Sequence, residues 1–118
     1  MAAPNVVSVA TITGKTDVSA AVGTSPTSIT TNSAASVLVY KVNFLTCSNM
    51  TASAATATVD LYRSSTAYTI AKDITIPAGA TLDVLAKGIY LEEGDALRVT
   101  SDTASALDVV CSYESISE

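Results

Sequence analysis

Between Ile70 and Thr100 two tight turns, Pro77-Ala78-Gly79 and Glu92-Glu93-Gly94-Asp95, each stand between short apolar runs. Proline fixes φ in the first turn, and glycine supplies the positive φ that other residues resist. Ile74 and Ile76 alternate with polar residues before the first turn, Leu82 and Val84 after it, and Leu97 and Val99 after the second. A period of two bounded by turn chemistry belongs to antiparallel strands with one buried face. The segment therefore reads as a β-meander of about four strands.

The same pattern runs through the rest of the chain. Val6 to Ile12 is a first strand leading into Gly14, and Pro26 to Thr30 is a short strand inside the Ser/Thr/Ala-rich stretch Lys15–Ser36. That stretch reads either as a loose connection or, with the residues before it, as an extended N-terminal arm over 1–36 that pairs with a neighbouring subunit. Ser36 to Cys47 is the longest and most apolar strand. Leu38, Tyr40, Val42 and Phe44 share one face, and Val37, Val39, Lys41, Asn43 and Leu45 the other. Which face is core stays open here, because a one-residue slip exchanges them. Thr56 to Arg63 is expected to turn Val59 and Leu61 inward, and Thr58, Asp60 and Tyr62 outward. Ser64-Ser65-Thr66 turns the chain into Tyr68–Ile76, and Leu107 to Tyr113 closes the fold. No run of long residues at a 3.6-residue period competes, and β-branched residues prevail. The expectation is one all-β domain over 1–118: an antiparallel β-sandwich of about eight short strands, jelly-roll-like in topology.

A chain of 118 residues supports a single core without staples. Its net charge of −5, with six basic residues, argues against neutralising phosphates, so no nucleic-acid partner is expected. No apolar run approaches the ~18 residues of a membrane span, so no membrane partner is expected either. Met1 to Asn5 lacks the basic region and apolar core of a secretory signal, which points to synthesis and assembly in the cytosol. In that compartment Cys47 and Cys111, both in apolar runs, are expected as buried thiols; a bridge between facing sheets is the weaker alternative. The sequon Asn49-Met50-Thr51 is then a chance match.

The charges are unevenly spread. Residues 1–59 carry only Lys15, Asp17 and Lys41, whereas residues 60–118 carry four basic and ten acidic side chains. Charge depletion marks the centres of protein–protein interfaces, so the first half is the expected contact half.

Chemistry has little to build on. With no histidine there is no base for a serine or cysteine nucleophile and no imidazole metal ligand, and no Gly-rich phosphate loop is present. Glu92, Glu93 and Asp95, with Asp102 one loop on, form a carboxylate cluster of the kind that holds Ca²⁺, but at no calcium-loop spacing. No enzyme, metal or cofactor is expected. Tyr62 and Tyr68 flank one hairpin and are expected as cross-strand packing partners.

Four stretches carry a likeness: Ala2–Thr16 (A-A-P-N-V-V-S-V-A-T-I-T-G-K-T), Ile76–Leu85 (I-P-A-G-A-T-L-D-V-L), Ile89–Thr100 (I-Y-L-E-E-G-D-A-L-R-V-T) and Leu107–Glu114 (L-D-V-V-C-S-Y-E). Together they resemble small virion structural proteins of tailed bacteriophages, especially cyanophages, whose β-domains serve as decoration, neck and fibre modules. The resemblance implies a non-enzymatic, many-copy building block of the virion that binds other virion proteins through sheet edges and one face. It carries over no site residues.

The expected function is accordingly a capsid decoration or cement protein, homo-oligomeric, whose partner is the major capsid protein. A neck, tail or fibre subunit is the nearest alternative, and a receptor- or glycan-binding module the alternative of another class. The expected contact residues are Val6, Val7, Val9 and Ile12 in the N-terminal segment, and Val37, Val39 and Leu45 on the outer face of the long strand.

Overall fold

The computed structural model describes residues 11–117. All its regular elements are strands: β1 (Thr11–Val22), β2 (Thr27–Thr31), β3 (Val39–Asn49), β4 (Ala55–Arg63), β5 (Thr66–Ile76), β6 (Thr81–Asp83), β7 (Ile89–Leu91), β8 (Ala96–Ser101) and β9 (Leu107–Ser117). They form two antiparallel sheets. The front sheet runs β1-β9-β3-β6, with β7 also paired to β3, and the back sheet runs β2-β8-β4-β5. Because β6 and β7 pair with successive parts of β3, they act as one interrupted strand. Counted so, eight strands in this order, with every connection except β4–β5 passing from sheet to sheet, make the jelly roll expected from the pattern.

The expected meander does not form. β5 lies in the back sheet, β6 and β7 in the front sheet, and β8 in the back sheet again. The turn at Pro77–Ala80, closed by the Ala80 amide donating to the Pro77 carbonyl (3.0 Å), therefore carries the chain from one sheet to the other. So does Glu92–Asp95, closed in the same way at 3.0 Å. Turn residues dictate that the chain reverses; they do not dictate which strand it meets next.

The core lies between the sheets. Val42, Leu45, Cys47, Leu91, Val109 and Cys111 of the front sheet meet Ala57, Val59, Ile76, Leu97 and Val99 of the back sheet, all nearly or fully buried. β3 reaches this arrangement through a β-bulge. Val42 pairs with Tyr113 and Phe44 with Ser112, leaving Asn43 without a partner. One extra residue reverses the alternation, so Tyr40 and Val42 face inward before the bulge and Leu45 and Cys47 after it.

Two expected contact residues are corrected by this. Leu45 is fully buried in the core, and Val39, although on the outer side by register, is only 6% exposed. Neither is open to a partner. Cys47 and Cys111 are free and buried, on neighbouring strands of the same sheet, which removes the bridge between facing sheets.

β1 is longer than expected. It takes in much of the Ser/Thr/Ala-rich stretch and pairs residue for residue with β9 from Thr11↔Ser117 to Ser19↔Val109. Asn49 is buried: its Nδ2 donates to the carbonyls of Ser53 (2.8 Å) and Ile76 (2.9 Å), so in the folded chain the sequon amide is already committed.

Candidate interaction surface

Three surfaces compete as the functional one: the acidic turn, the outer face of the back sheet and the outer face of the front sheet.

The acidic turn is occupied by a guanidinium. Arg63, at the end of β4, donates from Nε to Asp95 Oδ1 (2.7 Å) and from Nη2 to Asp95 Oδ2 (2.6 Å) and Glu92 Oε2 (2.8 Å). Asp95 also accepts the Glu92 amide at 2.8 Å. Burial works to raise the Asp95 pKa, but the hydrogen bonds from Arg63 and the Glu92 amide outweigh it and hold the carboxyl below its usual range. Glu93 accepts the amide of Val37 (3.3 Å), and Asn32 Nδ2 donates to the Leu38 (2.9 Å) and Leu91 (3.0 Å) carbonyls. These bonds tie the connection from β2 to β3 onto the turn. The cluster is a structural clamp in which the carboxylates face a cation supplied by the chain itself. Asp102 likewise accepts the Thr56 amide (2.9 Å) and the Thr103 hydroxyl (3.0 Å), which lower its pKa.

The back sheet leaves Tyr68, Ile70 and Ile74 exposed along its β5 edge, but the centre of its outer face is internally paired. Arg98 donates to Asp60 at 2.8 Å and stacks over the Tyr62 ring, 3.9 Å from its centroid. Such stacking suits the weakly hydrated guanidinium plane. Tyr68 is not the partner of Tyr62. The two-residue turn at Ser64-Ser65, both with positive φ, sets Tyr62 opposite Ala67 and Tyr68 opposite Leu61, so the two rings lie on opposite faces of the sheet.

The front sheet's outer face differs. Its register lays out rows that run Val18–Val110–Thr46–Asp83, Thr16–Ser112–Phe44, Gly14–Glu114–Lys41–Tyr90 and Ile12–Ile116–Val39. Val18 is 72% exposed and Ile12 54%, with Phe44 and Tyr90 also exposed. The charges on these rows are Lys41, Glu114 and, at the far edge, Asp83, with Asp108 opposite Ser48 on the next row, and among the described residues none of them is in an ion pair.

Behind this face, at the inner side of β1, Thr30 donates to Asp17 (3.0 Å), and the Tyr40 and Tyr113 rings pack 4.8 Å apart. Burial, and then the nearby Asp17 carboxylate, push the Tyr113 phenol well above its ordinary range. Burial also pushes the Cys47 thiol up to about 12. These are packed, protonated groups without nucleophilic character.

Of the expected contact residues, Ile12 lies on this face, and Val6, Val7 and Val9 fall outside the described residues. Val37 is exposed, but in the loop before β3 rather than on the strand, at a φ of 58° that a β-branched residue adopts only under strain. Val18, Phe44, Tyr90 and Val110 were not expected. For Val18 the available signal is the alternation of Gly14, Thr16 and Val18, which is faint because two of the three side chains are small.

Comparison with family models, curated proteins and solved structures finds no match for this chain.

Proposed function

We propose that this chain is a structural protein of a tailed-bacteriophage virion: a decoration subunit that binds the capsid shell through the outer face of its front sheet and stabilises it. The observation that carries this reading is the contrast between the two outer faces. One has its central charges, Asp60 and Arg98, paired and stacked within the chain, whereas the other presents Val18, Val110 and Phe44 in adjacent rows that are uncharged except for Asp83 at the far edge. Low charge with exposed apolar and aromatic groups is the composition of an interface centre. The jelly roll itself is shared by capsid proteins, lectins and cupins and does not choose among them. The sequence likeness to phage virion β-domains favours the first. The net charge of −5 suits a site on the outside of the shell, away from packaged DNA. A subunit that binds only the assembled shell adds its binding free energy to shell stability by linkage.

The test is the copy number of this chain per major capsid protein in purified particles, by quantitative mass spectrometry. A ratio of order one, or a simple fraction set by shell symmetry, supports decoration. A few to a few dozen copies per particle moves the protein to the neck, tail or fibres. Absence from the particle overturns the virion reading.

A further inference from the structure

The two sheets have four edges, and only one of them is long and regular. β6 and β7 are three residues each, and β2 is five residues with a register shift after Ser28. β5 is long but irregular: Ile70, Lys72 and Asp73 find no partner in β4, and Asp73 sits at a φ of 50° with its amide donating to Thr58 Oγ1 (3.0 Å). Bulges and a lysine are the devices by which an exposed edge is kept from pairing. β1 has no bulge between Thr11 and Ser19; its irregularity begins only beyond Ser19. It does carry a lysine, Lys15, but with Asp17 two residues on, an opposite charge that a second copy can set against it. Among the described residues its outer edge is unpaired.

We infer that β1 pairs with β1 of a second copy, antiparallel and about a two-fold axis at Thr16, to make a homodimer with one continuous front sheet. The register follows from charge. Lys15 and Asp17 are two residues apart and share a face of β1. A two-fold that continues the sheet pairs residues of the same parity, so the axis must pass through a residue. Centred on Lys15 or on Asp17, it sets like charges directly opposite, which is unfavourable. Centred on Thr16, it sets Lys15 of each copy against Asp17 of the other, two reciprocal opposite-charge pairs, with Thr16 facing its own symmetry mate. On the outer face the same register places Val18 against Gly14, where the missing side chain leaves room for the valine. This is the self-complementarity that an isologous interface requires. The dimer joins two front-sheet faces into one surface of twice the extent, and its existence does not depend on the virion reading.

The experiment is the solution assembly state of the full chain by sedimentation equilibrium. The wild type is expected to be a dimer, Lys15→Glu to raise the dissociation constant at least tenfold, and the exchange Lys15→Asp with Asp17→Lys to restore it. The exchange also removes the acceptor of the Thr30 hydroxyl, so a second measurement guards against misfolding. Thr16→Cys is expected to form a disulfide-linked dimer with oxidised glutathione, while Thr13→Cys, which this register sets opposite Ser19, is not. A monomeric wild type, an unchanged dissociation constant in Lys15→Glu, or equal cross-linking of the two cysteine variants overturns the inference.

Discussion

The back sheet and the front sheet are finished in different ways. The three ion pairs among the described residues all use back-sheet arginines, Arg63 and Arg98, and the back sheet's long edge is bulged. The front sheet holds no ion pair among those residues, buries two thiols and a tyrosine on its inner side, and leaves apolar side chains outside. A solvent-facing sheet satisfies its charges and protects its edge; a partner-facing sheet has reason to do neither. Under the proposed reading, one small fold has a wet side and a contact side around a single shared core.

The largest expected effect breaks the comparison at its centre. Asp60→Ala strands Arg98 in a largely buried site, and losing one partner of such a pair costs about 3–5 kcal/mol. Phe44→Ala on the front face is expected to cost less than about 1 kcal/mol, because its ring is already partly in water. Urea denaturation of both variants measures this. Equal losses would mean that the front face is as integral to the fold as the ion pair.

Next in size is the response to pH, which separates the sheets by sign. The Asp95 carboxyl titrates below 3.8 in the folded chain, so the unfolded chain takes up the proton first as pH falls. Its contribution is present above about pH 3.8 and is lost as pH falls through the folded value. Cys47 runs the other way. Raised from 9.0 to about 12, it is ionised first in the unfolded chain, so its contribution is full below pH 9 and is lost progressively toward 12. Each group can change stability by at most about 1.4 kcal/mol per pH unit. In urea titrations at varied pH, Asp95→Asn should flatten the acid limb alone and Cys47→Ala the alkaline limb alone. A variant that alters both limbs would refute the division.

The smallest effect lies at the junction between the sheets. Val37→Asn relieves a β-branched residue at a φ of 58° and is expected to raise stability by roughly 0.5–1 kcal/mol in the same assay. If Val37 also contacts the shell, this variant binds capsids more weakly while being more stable, a pairing that distinguishes stored strain from plain misfit.

The strands were legible in the sequence where apolar and polar residues alternate with strong contrast, as at Leu97 and Val99 or Leu107 to Tyr113. They were faint in β1, where Thr, Ser, Ala and Gly alternate with one another and the pattern carries little hydrophobic signal. Which residues of β3 reach the outer face depends on one bulged residue. A strict period of two places Val42 and Leu45 on opposite faces, and the extra residue Asn43 brings both into the core. Nothing local in Lys41-Val42-Asn43-Phe44 announces that insertion, because a bulge is fixed by what the neighbouring strand offers. The carboxylate turn was visible as a cluster, but its use was not, since Arg63 comes from a distant strand.

The pairing of β1 with β9 also shapes how the chain folds. Thr11 meets Ser117, so the front sheet cannot close until the chain has been made through β9. The β4–β5 hairpin, joined by two residues, needs no such wait. Loop closure over that span is entropically costly, and topologies dominated by distant pairings reach the native state in milliseconds to seconds rather than microseconds. Until β9 arrives, β1 is a nascent strand with both edges open, and in a crowded cell its competitors are other copies of the same segment on neighbouring ribosomes.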